Sequence, residues 1–495
     1  MKYISSFLYL ICNFMNRDVV VGKYTLETLT NGMYSNPLDL YREYIQNAVD
    51  SIDEKSETKD VTVENYKIDI QIDPLSGTIA IKDNGKGISA DIAEQSLIDI
   101  GNSDKDKKKN RGFRGIGRLS GLGYCNELVF TTSYQGEGIK TIIKFNTCLL
   151  RNLLFSRNQD IVSVNDVMKR IVTIEKTEEN INDHYFKVEL SGVPTKEKLL
   201  DVSFVENYLV QHVPLPFKKD FVWSREIKEK FRLLGYEIPE YHICLNGKTL
   251  FKPYKMQFLS DRVKKREDSI SDIKVIPFYR EEKISAILWY GVTGYYGTIL
   301  DNKLKGIRIR QGNMLIGDKG TCNGLFKEER FNGWMIGELH VFDNDLVVNA
   351  RRDYFEQNEA HYDLSETFKE WSASKVKEIR KLSYERTLSE TKKAVVNAAD
   401  PDDVNDLFVE DFDCYSESDF IDREEVDEIV EIDYMDKLSW LINQKQGKTK
   451  YMALNINNRL TPEQKKVVEN IFDIIIQKYK KDEAEQFINI IASNL

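Results

Sequence analysis

The sequence feature that most constrains this chain is GFRGIGRLSGLG at residues 112–123, which holds five glycines in twelve residues. Glycine reaches backbone angles that other residues avoid, so a segment this rich in glycine can pass very close to a ligand. Where such a segment enters a helix, its backbone N–H groups form a site for anions, above all phosphate. It lacks the Gly-Lys-Ser/Thr ending of a Walker loop, and it opens no βαβ unit as a dinucleotide fingerprint would. Taken alone, it also fits a flexible surface loop.

A polar stripe comes earlier, in LYREYIQNAVDSI at residues 40–52. Helical spacing places Glu43, Asn47 and Asp50 on one face of a predicted helix. Tyr41 and Ile45 belong to a different face, which is expected to anchor the helix in a core. In isolation, a stripe of this kind is usually a solvated surface.

A third pattern, DNGKG at residues 83–87, directly follows an alternating strand. Asp83 at the end of that strand can accept a hydrogen bond from an amine. Gly85 and Gly87, two residues apart, allow the backbone to turn sharply beside a ligand. An ordinary turn is the alternative interpretation.

The order and spacing of the three patterns resemble the GHKL ATPase superfamily, which includes gyrase, histidine kinases, MutL and the heat-shock protein 90 chaperones. Its signatures, ExxxNxxD, DxGxG and a glycine lid, occur here in that order. Residues 26–52, LETLTNGMYSNPLDLYREYIQNAVDSI, are similar to the first long helices of the heat-shock protein 90 (HtpG-like) chaperones, and the resemblance covers roughly residues 20–358. It implies a Bergerat-type α/β sandwich that binds ATP with Mg²⁺ and hydrolyses it.

The resemblance implies a role for each matching residue. Glu43 is expected to be the general base that activates water, Asn47 to hold Mg²⁺ against the phosphates, and Asp50 to support the nucleotide through water. The residues expected to contact the adenine are Asp83, Gly85 and Gly87, and those expected to lie near the phosphates or close over them are Lys105, Gly112, Arg114, Gly115, Ile116 and Gly117.

The resemblance continues more weakly in a second domain, where LVVNARRD at residues 346–353 resembles the chaperone segment whose arginine reaches the γ-phosphate. Arg352 is therefore expected to be a second catalytic residue, with Arg351 as the alternate, whereas a basic surface turn is the structural alternative. Two departures are present. Glu356 stands where the chaperones carry glutamine, and YFKVEL at residues 185–190 lacks the threonine of their Gly-Thr pair.

Helical patterns, as at residues 24–55 and in the charged stretch from residue 360, are mixed along the chain with strand-like alternation, as at residues 68–72 and 127–133. This mixture predicts an α+β fold. The expected organisation is an ATP-binding domain at residues 1–200 and a middle α/β domain at 201–358. A helical segment at 359–399, an acidic linker at 400–437 and a helical C-terminal region at 438–495 follow.

The net charge of −10 is concentrated near the end, because residues 400–436 hold 17 acidic residues and a single basic one, Arg423. The six cysteines form no CxxC pair, which argues against a disulfide framework or a zinc site and suits the cytoplasm. The apolar run at residues 4–15 is shorter than the roughly 20 residues that span a bilayer, so no membrane association is expected.

The leading functional hypothesis is an ATP-driven, chaperone-like clamp that works as a homodimer on a protein client or partner, with residues 438–495 holding the dimer. The alternative is a DNA-acting ATPase of the MutL or MORC type, in DNA repair or anti-phage defence, since the chain outside the acidic stretch is mildly basic. DNA binding that weakens with salt would favour this alternative. A histidine kinase is disfavoured because no histidine precedes the ATP site.

Overall fold

The computed structural model describes residues 21–30, 36–56, 66–100, 117–155, 163–349 and 351–398, together with residue 475. The chain divides into two compact units, Met1–Val376 and Lys377–Leu495, and every site discussed below lies in the first. The predicted apolar run, the lid up to residue 116 and the acidic linker lie outside the described residues, as does the C-terminal region apart from residue 475.

Helices and strands alternate along the first unit. The described helices are α1 (Tyr24–Thr30), α2 (Asp39–Ser56), α3 (Ala93–Ile98), α4 (Thr147–Phe155), α5 (Val164–Ile171), α6 (Val202–His212), α7 (Ser224–Leu233) and α8 (Glu359–Ala398), with short 3₁₀ helices at Gly117–Gly123, Lys198–Leu200, Asn323–Leu325 and Glu329–Trp334. Local signals mark some of the ends. Ser163 and Asp166 form a capping box at the start of α5, and the Asp201 carboxylate caps α6.

Eight strands form the larger sheet, sheet A, in the order β5-β4-β3-β6-β2-β1-β7-β8. These strands are β1 (Lys67–Asp73), β2 (Thr78–Asp83), β3 (Glu127–Ser133), β4 (Ile139–Asn146), β5 (Val172–Glu178), β6 (Tyr185–Ser191), β7 (His242–Leu245) and β8 (Lys248–Thr249). Ile70 lies opposite Ile81 in the hairpin of β1 and β2, and alternate residues of both strands are buried. Such alternation is typical of an antiparallel sheet with one face on the core.

Sheet A continues beyond the predicted boundary at residue 200. Strand β7 pairs in parallel with β1, with Ile243 beside Ile68. The same hydrophobic core also includes Val205 from α6 and Leu250 after β8. The division of the chain into five domains therefore stays a prediction, with the first core reaching about fifty residues further than expected.

The second sheet, sheet B, has the order β11-β12-β15-β13-β14 and a core of its own. Its strands are β11 (Asp272–Arg280), β12 (Lys283–Val292), β13 (Gly306–Gln311), β14 (Met314–Ile316) and β15 (Ile336–Val341), and a separate two-stranded ribbon consists of β9 (Gln257–Ser260) and β10 (Arg266–Ser269). The beginning of α8 packs Phe368 and Trp371 against Phe278 of β11.

The predicted α+β fold is confirmed. The strand expected at Glu127–Ser133 has the same bounds in the structure, and the charged helix expected from residue 360 begins at Glu359. The region expected to be helical at 24–55 contains two helices, α1 and α2. Among the described residues, no helix combines the length and apolarity needed to cross a bilayer.

Candidate nucleotide site

Helix α2 holds the polar stripe on an anchored scaffold. Its apolar face is buried in the core of sheet A, and the Tyr41 hydroxyl donates to the Leu199 carbonyl at 2.6 Å. On the polar face, Glu43 and Asp50 are only 5% and 2% exposed, while Asn47 is half-buried. Because a buried carboxylate is costly unless it is paired, this stripe is not the solvated surface that the pattern alone would suggest.

The two oxygens of Glu43 face different parts of the molecule. Oε2 lies so close to Gly117, at the root of the lid, that a Cβ at this position would overlap with it. Oε1 lies 3.0 Å from Nε of Arg352 and 3.8 Å from Nη2 of Arg42. One oxygen therefore faces the lid and the other faces two guanidinium groups.

Arg42 connects the beginning of α2 to its neighbours. Its guanidinium lies 3.5 Å from the Asp39 carboxylate and donates to the Arg351 carbonyl at 3.2 Å. Asp39 also accepts a hydrogen bond from the Tyr208 hydroxyl of α6 at 2.7 Å. Burial raises the pKa of Asp39, and the Arg42 charge only partly offsets that rise. Arg42 thus joins α2 both to α6 and to the chain around Arg351.

The loop after β2 requires glycine at both predicted positions. Asp83 is 2% exposed, and its Oδ1 accepts from the Gly85 N–H at 2.9 Å. A Cβ on Gly85 would overlap with the Ser51 hydroxyl, and one on Gly87 would overlap with the Ser133 carbonyl. Gly87 also has a φ of +71°, which side-chain-bearing residues rarely adopt. The loop lies against α2 because no side chain separates them.

Thr132 of β3 lies opposite Phe186 of β6, the strand that lacks the threonine of the chaperone pattern. Its hydroxyl accepts from the Ile88 N–H at 2.8 Å and lies 3.2 Å from the Tyr185 carbonyl, to which it can donate. His184 precedes β6, and its Nδ1 donates to the Gly85 carbonyl at 2.7 Å. A threonine on the neighbouring strand and a histidine therefore support the loop after Asp83.

The described root of the lid is the 3₁₀ helix that begins at Gly117. Tyr44, the residue after Glu43, donates its hydroxyl to the Arg118 carbonyl at 3.0 Å and accepts from the Gly121 N–H at 3.1 Å. The lid root is thereby fixed to the helix that carries Glu43. The remaining lid residues named from the sequence, Lys105, Gly112, Arg114, Gly115 and Ile116, lie outside the described residues.

Arg352 comes to the site from a turn after sheet B, here called the arginine loop (residues 349 and 351–353). Its backbone N–H donates to the Asn349 carbonyl at 3.1 Å, and its carbonyl accepts from Gly317 at 2.9 Å. Its side chain meets Glu43 through Nε and donates through Nη1 to Gln46. The structure therefore brings Arg352, and not Arg351, to the carboxylate.

Asn47 fits the part assigned to it in Mg²⁺ binding. Its half-buried amide has no side-chain hydrogen bond within the described part of the chain, and it lies on the same helix face as Glu43. Mg²⁺ commonly uses one or two protein oxygens together with substrate phosphates. A lone amide oxygen at the phosphate end is consistent with this. In the described residues, no group of three His, Cys, Asp or Glu side chains is placed to hold a metal by itself.

Several contacts at this site escaped sequence reasoning. Gln46 and Arg42 border the motif but belong to no signature, and Thr132 lies on a strand that was predicted only as a strand. The hydroxyl residues Thr131, Thr132 and Ser133 at the end of an alternating strand were the one available signal for Thr132. For Gln46 the sequence held no signal, because its partner is 306 positions away.

Comparisons with known proteins agree with this geometry. Residues 40–176 match the family described as "Histidine kinase-, DNA gyrase B-, and HSP90-like ATPase". The chaperone protein HtpG of Rickettsia canadensis is 24% identical over 257 residues, which are 47% of this chain and 40% of HtpG. HtpG of Streptomyces coelicolor is 25% identical over 138 residues, 24% of this chain and 22% of that protein. The chain thus spans well under half the length of these relatives.

Among solved structures, the crystal structure of the ATPase region of Saccharomyces cerevisiae topoisomerase II is similar at a TM-score of 0.36 and 13% identity. It covers 65% of this chain and 77% of that one.

Proposed function

We propose that this chain binds ATP with Mg²⁺ and hydrolyses it to ADP and phosphate, because residues 40–176 match the family of histidine kinase-, DNA gyrase B- and HSP90-like ATPases. One observation carries the proposal. The buried Glu43 and Asp50 and the half-buried Asn47 share one face of α2, which lies between the Asp83 loop and the root of the lid. A carboxylate stripe on an ordinary surface helix would have neither neighbour.

The base end of the nucleotide belongs at the Asp83 loop. The Asp83 carboxylate, whose Oδ1 accepts from the Gly85 N–H, is the group proposed to accept from the adenine amino group. Gly85 and Gly87 let this loop pack directly against Ser51 and Ser133. Thr132 and His184 keep the loop in place through Ile88 and the Gly85 carbonyl.

The phosphate end belongs between Glu43 and the lid root. Oε2 of Glu43 faces Gly117, so this oxygen is the one placed to accept a proton from the attacking water. That water forms the new bond to the γ-phosphorus as the bond to the β-phosphate oxygen breaks. Mg²⁺, held by Asn47 and the phosphates, would supply charge stabilisation. Arg352 is the side chain of the arginine loop that lies close enough to Glu43 to add its positive charge to this stabilisation.

We further propose that ATP drives a chaperone-like clamp, in which lid closure and the position of Arg352 are coupled to dimer formation. The support is that the lid root and the arginine loop both contact Glu43, so one bound phosphate could influence both. A shift to the dimer in sedimentation with a non-hydrolysable ATP analogue is expected, and a monomer under all conditions would contradict the clamp.

The decisive experiment measures ATP binding and turnover in single variants. Glu43→Ala is expected to bind ATP but to lose about 10²- to 10⁴-fold in turnover, the range of a lost general base. Asp83→Asn is expected not to bind, because an amide in its place presents a donor toward the adenine amino group. Asp69→Asn on β1, where the carboxylate is solvent-accessible and pairs with Lys67, is the matched control.

Unchanged turnover in Glu43→Ala would remove the assignment of the base. The same assays with and without duplex DNA separate the two classes of ATPase. Stimulation by DNA that fades with added salt would favour the DNA-acting alternative.

A further inference from the structure

Gln46 has an unusual position beside the candidate catalytic groups. It lies on α2 between Glu43 and Asn47 and is only 1% exposed. Its Oε1 accepts a hydrogen bond from Nη1 of Arg352. Its Nε2 has no acceptor among the residues that the structure describes. Buried amide groups are normally hydrogen-bonded, and within the described part of the chain the bond to Arg352 is the one that holds this side chain.

The arginine loop presents Arg352 on a fixed backbone. Arg352 has a φ of +57°, in the left-handed region that is unfavourable for any residue with a Cβ. Hydrogen bonds to Asn349 and Gly317 hold this conformation, and Arg42 holds the neighbouring Arg351 carbonyl. Backbone strain of this kind persists where the surrounding contacts impose it, and it is concentrated at functional sites.

α2 therefore contacts the loop through three residues that lie within about one helical turn. Arg42 binds the loop backbone and Gln46 binds the Arg352 side chain, while Glu43 pairs with Nε of the same guanidinium. A guanidinium held in this way cannot turn toward a phosphate without giving up Glu43, Gln46 or both.

We propose that Gln46 is a positioning residue for ATP turnover, which retains Arg352 at Glu43 and so sets how readily Arg352 transfers to the γ-phosphate. The proposal rests on the proposed ATPase function and adds a residue to it. Removal of the Gln46 amide should release Arg352 toward the phosphate, and a second carboxylate at position 46 should retain it more firmly.

The test is the ratio of two dissociation constants, for ADP and for a non-hydrolysable ATP analogue, because this ratio reports contacts to the γ-phosphate without requiring turnover. Gln46→Ala is expected to raise the preference for the ATP analogue about tenfold, roughly one charge-assisted hydrogen bond. Gln46→Glu is expected to lower it by a similar factor. In an Arg352→Ala background, both substitutions should change the ratio less than about twofold, since the coupled partner is gone.

Gln311→Ala is the matched control. Gln311 and Gln46 both line a small cavity between α2 and sheet B. The Gln311 amide donates to the Leu346 carbonyl and not to Arg352. The Gln311→Ala variant should leave the ratio unchanged.

Changes in the same direction for Gln46→Ala and Gln46→Glu, or effects that persist without Arg352, would show that Gln46 only fills space and would overturn the proposal. Wild-type protein that binds neither nucleotide would overturn the ATPase function and this role together. Normal nucleotide binding with ratios indifferent to position 46 would overturn this role alone.

Discussion

Two buried glutamates in this chain each face arginine, and their surroundings differ in one decisive respect. Glu338 in sheet B is fully buried and meets a complete set of partners. These partners are Lys252, Arg310, Tyr254 at 3.0 Å, Trp289 at 3.2 Å and His340 at 3.0 Å. Within the described residues, Glu43 has two ion pairs, both on Oε1, and Arg352 and Arg42 each also bind other groups. A carboxylate enclosed by five partners is structural, whereas one whose partners come from a loop and from its own helix can exchange them.

The charged groups around Glu338 form a buried ion-pair network. Burial opposes its ionisation, but Arg310 and Lys252 hold its pKa well below the usual range. Burial lowers the pKa of Lys252 to about 7 even though Glu338 favours its charged form. Arg310 also donates to the Gln211 carbonyl at the end of α6. This network therefore joins sheet B to α6, the helix whose Tyr208 hydroxyl donates to Asp39.

The largest expected effect is on stability. Glu338→Ala should lower the free energy of unfolding by about 3–5 kcal/mol, because it leaves Lys252 and Arg310 buried without their counter-ion. Glu43→Ala should cost less than about 1 kcal/mol, since Arg352 keeps Gln46 and is partly solvent-accessible. Urea denaturation measures both. Equal losses in the two variants would remove the contrast between the glutamates.

The second expected effect concerns space and not charge at the nucleotide site. Gly87→Ala should weaken nucleotide binding at least about 100-fold, equivalent to roughly 2.7 kcal/mol, because its Cβ would push the loop away from Ser133. Gly235→Ala is the control, since Gly235 has a similar φ of +84° but open space around it. It should show only the backbone strain, as a small loss of stability. Similar binding by both variants would mean that the close approach at Gly87 is unimportant.

The smallest expected effect is a dependence of stability on pH around Glu338. Burial lowers the pKa of His340 to about 4, from a usual value of about 6.5. The folded form therefore stays neutral while the unfolded chain takes up a proton, so stability is lost as pH falls from about 6.5 to about 4. Between pH 7.5 and 5.5 the loss should be about 1 kcal/mol.

His340→Gln keeps an N–H donor for Glu338 but cannot titrate, so it should remove this part of the pH dependence. Unfolding measured at both pH values separates the titration from any packing change, which acts at both. If the variant loses as much stability as wild type between these pH values, His340 is not the group that causes the pH dependence. His212, whose pKa burial lowers to about 3, would be the next group to replace.

The sequence by itself determined much of sheet A and the polar face of α2. Alternation of Ile68, Ile70 and Ile72 identified β1, because period-two burial is a local property of a strand. Likewise, i, i+4 spacing places Glu43 and Asn47 on one helix face whatever the remainder of the chain does. The need for glycine after Asp83 was also legible, since a sharp turn beside a ligand favours it.

Only the tertiary structure decided how those local pieces are completed. The continuation of sheet A into β7, the hydrogen bonds of Thr132 to the loop after Asp83, and the bond from Arg352 to Gln46 all join distant parts of the chain. Such contacts depend on which strands pair and on how the two sheets pack together, which no local period records. The side chains expected to carry the chemistry were thus readable in the sequence. Which of their oxygens faces the lid and which faces arginine was settled by packing.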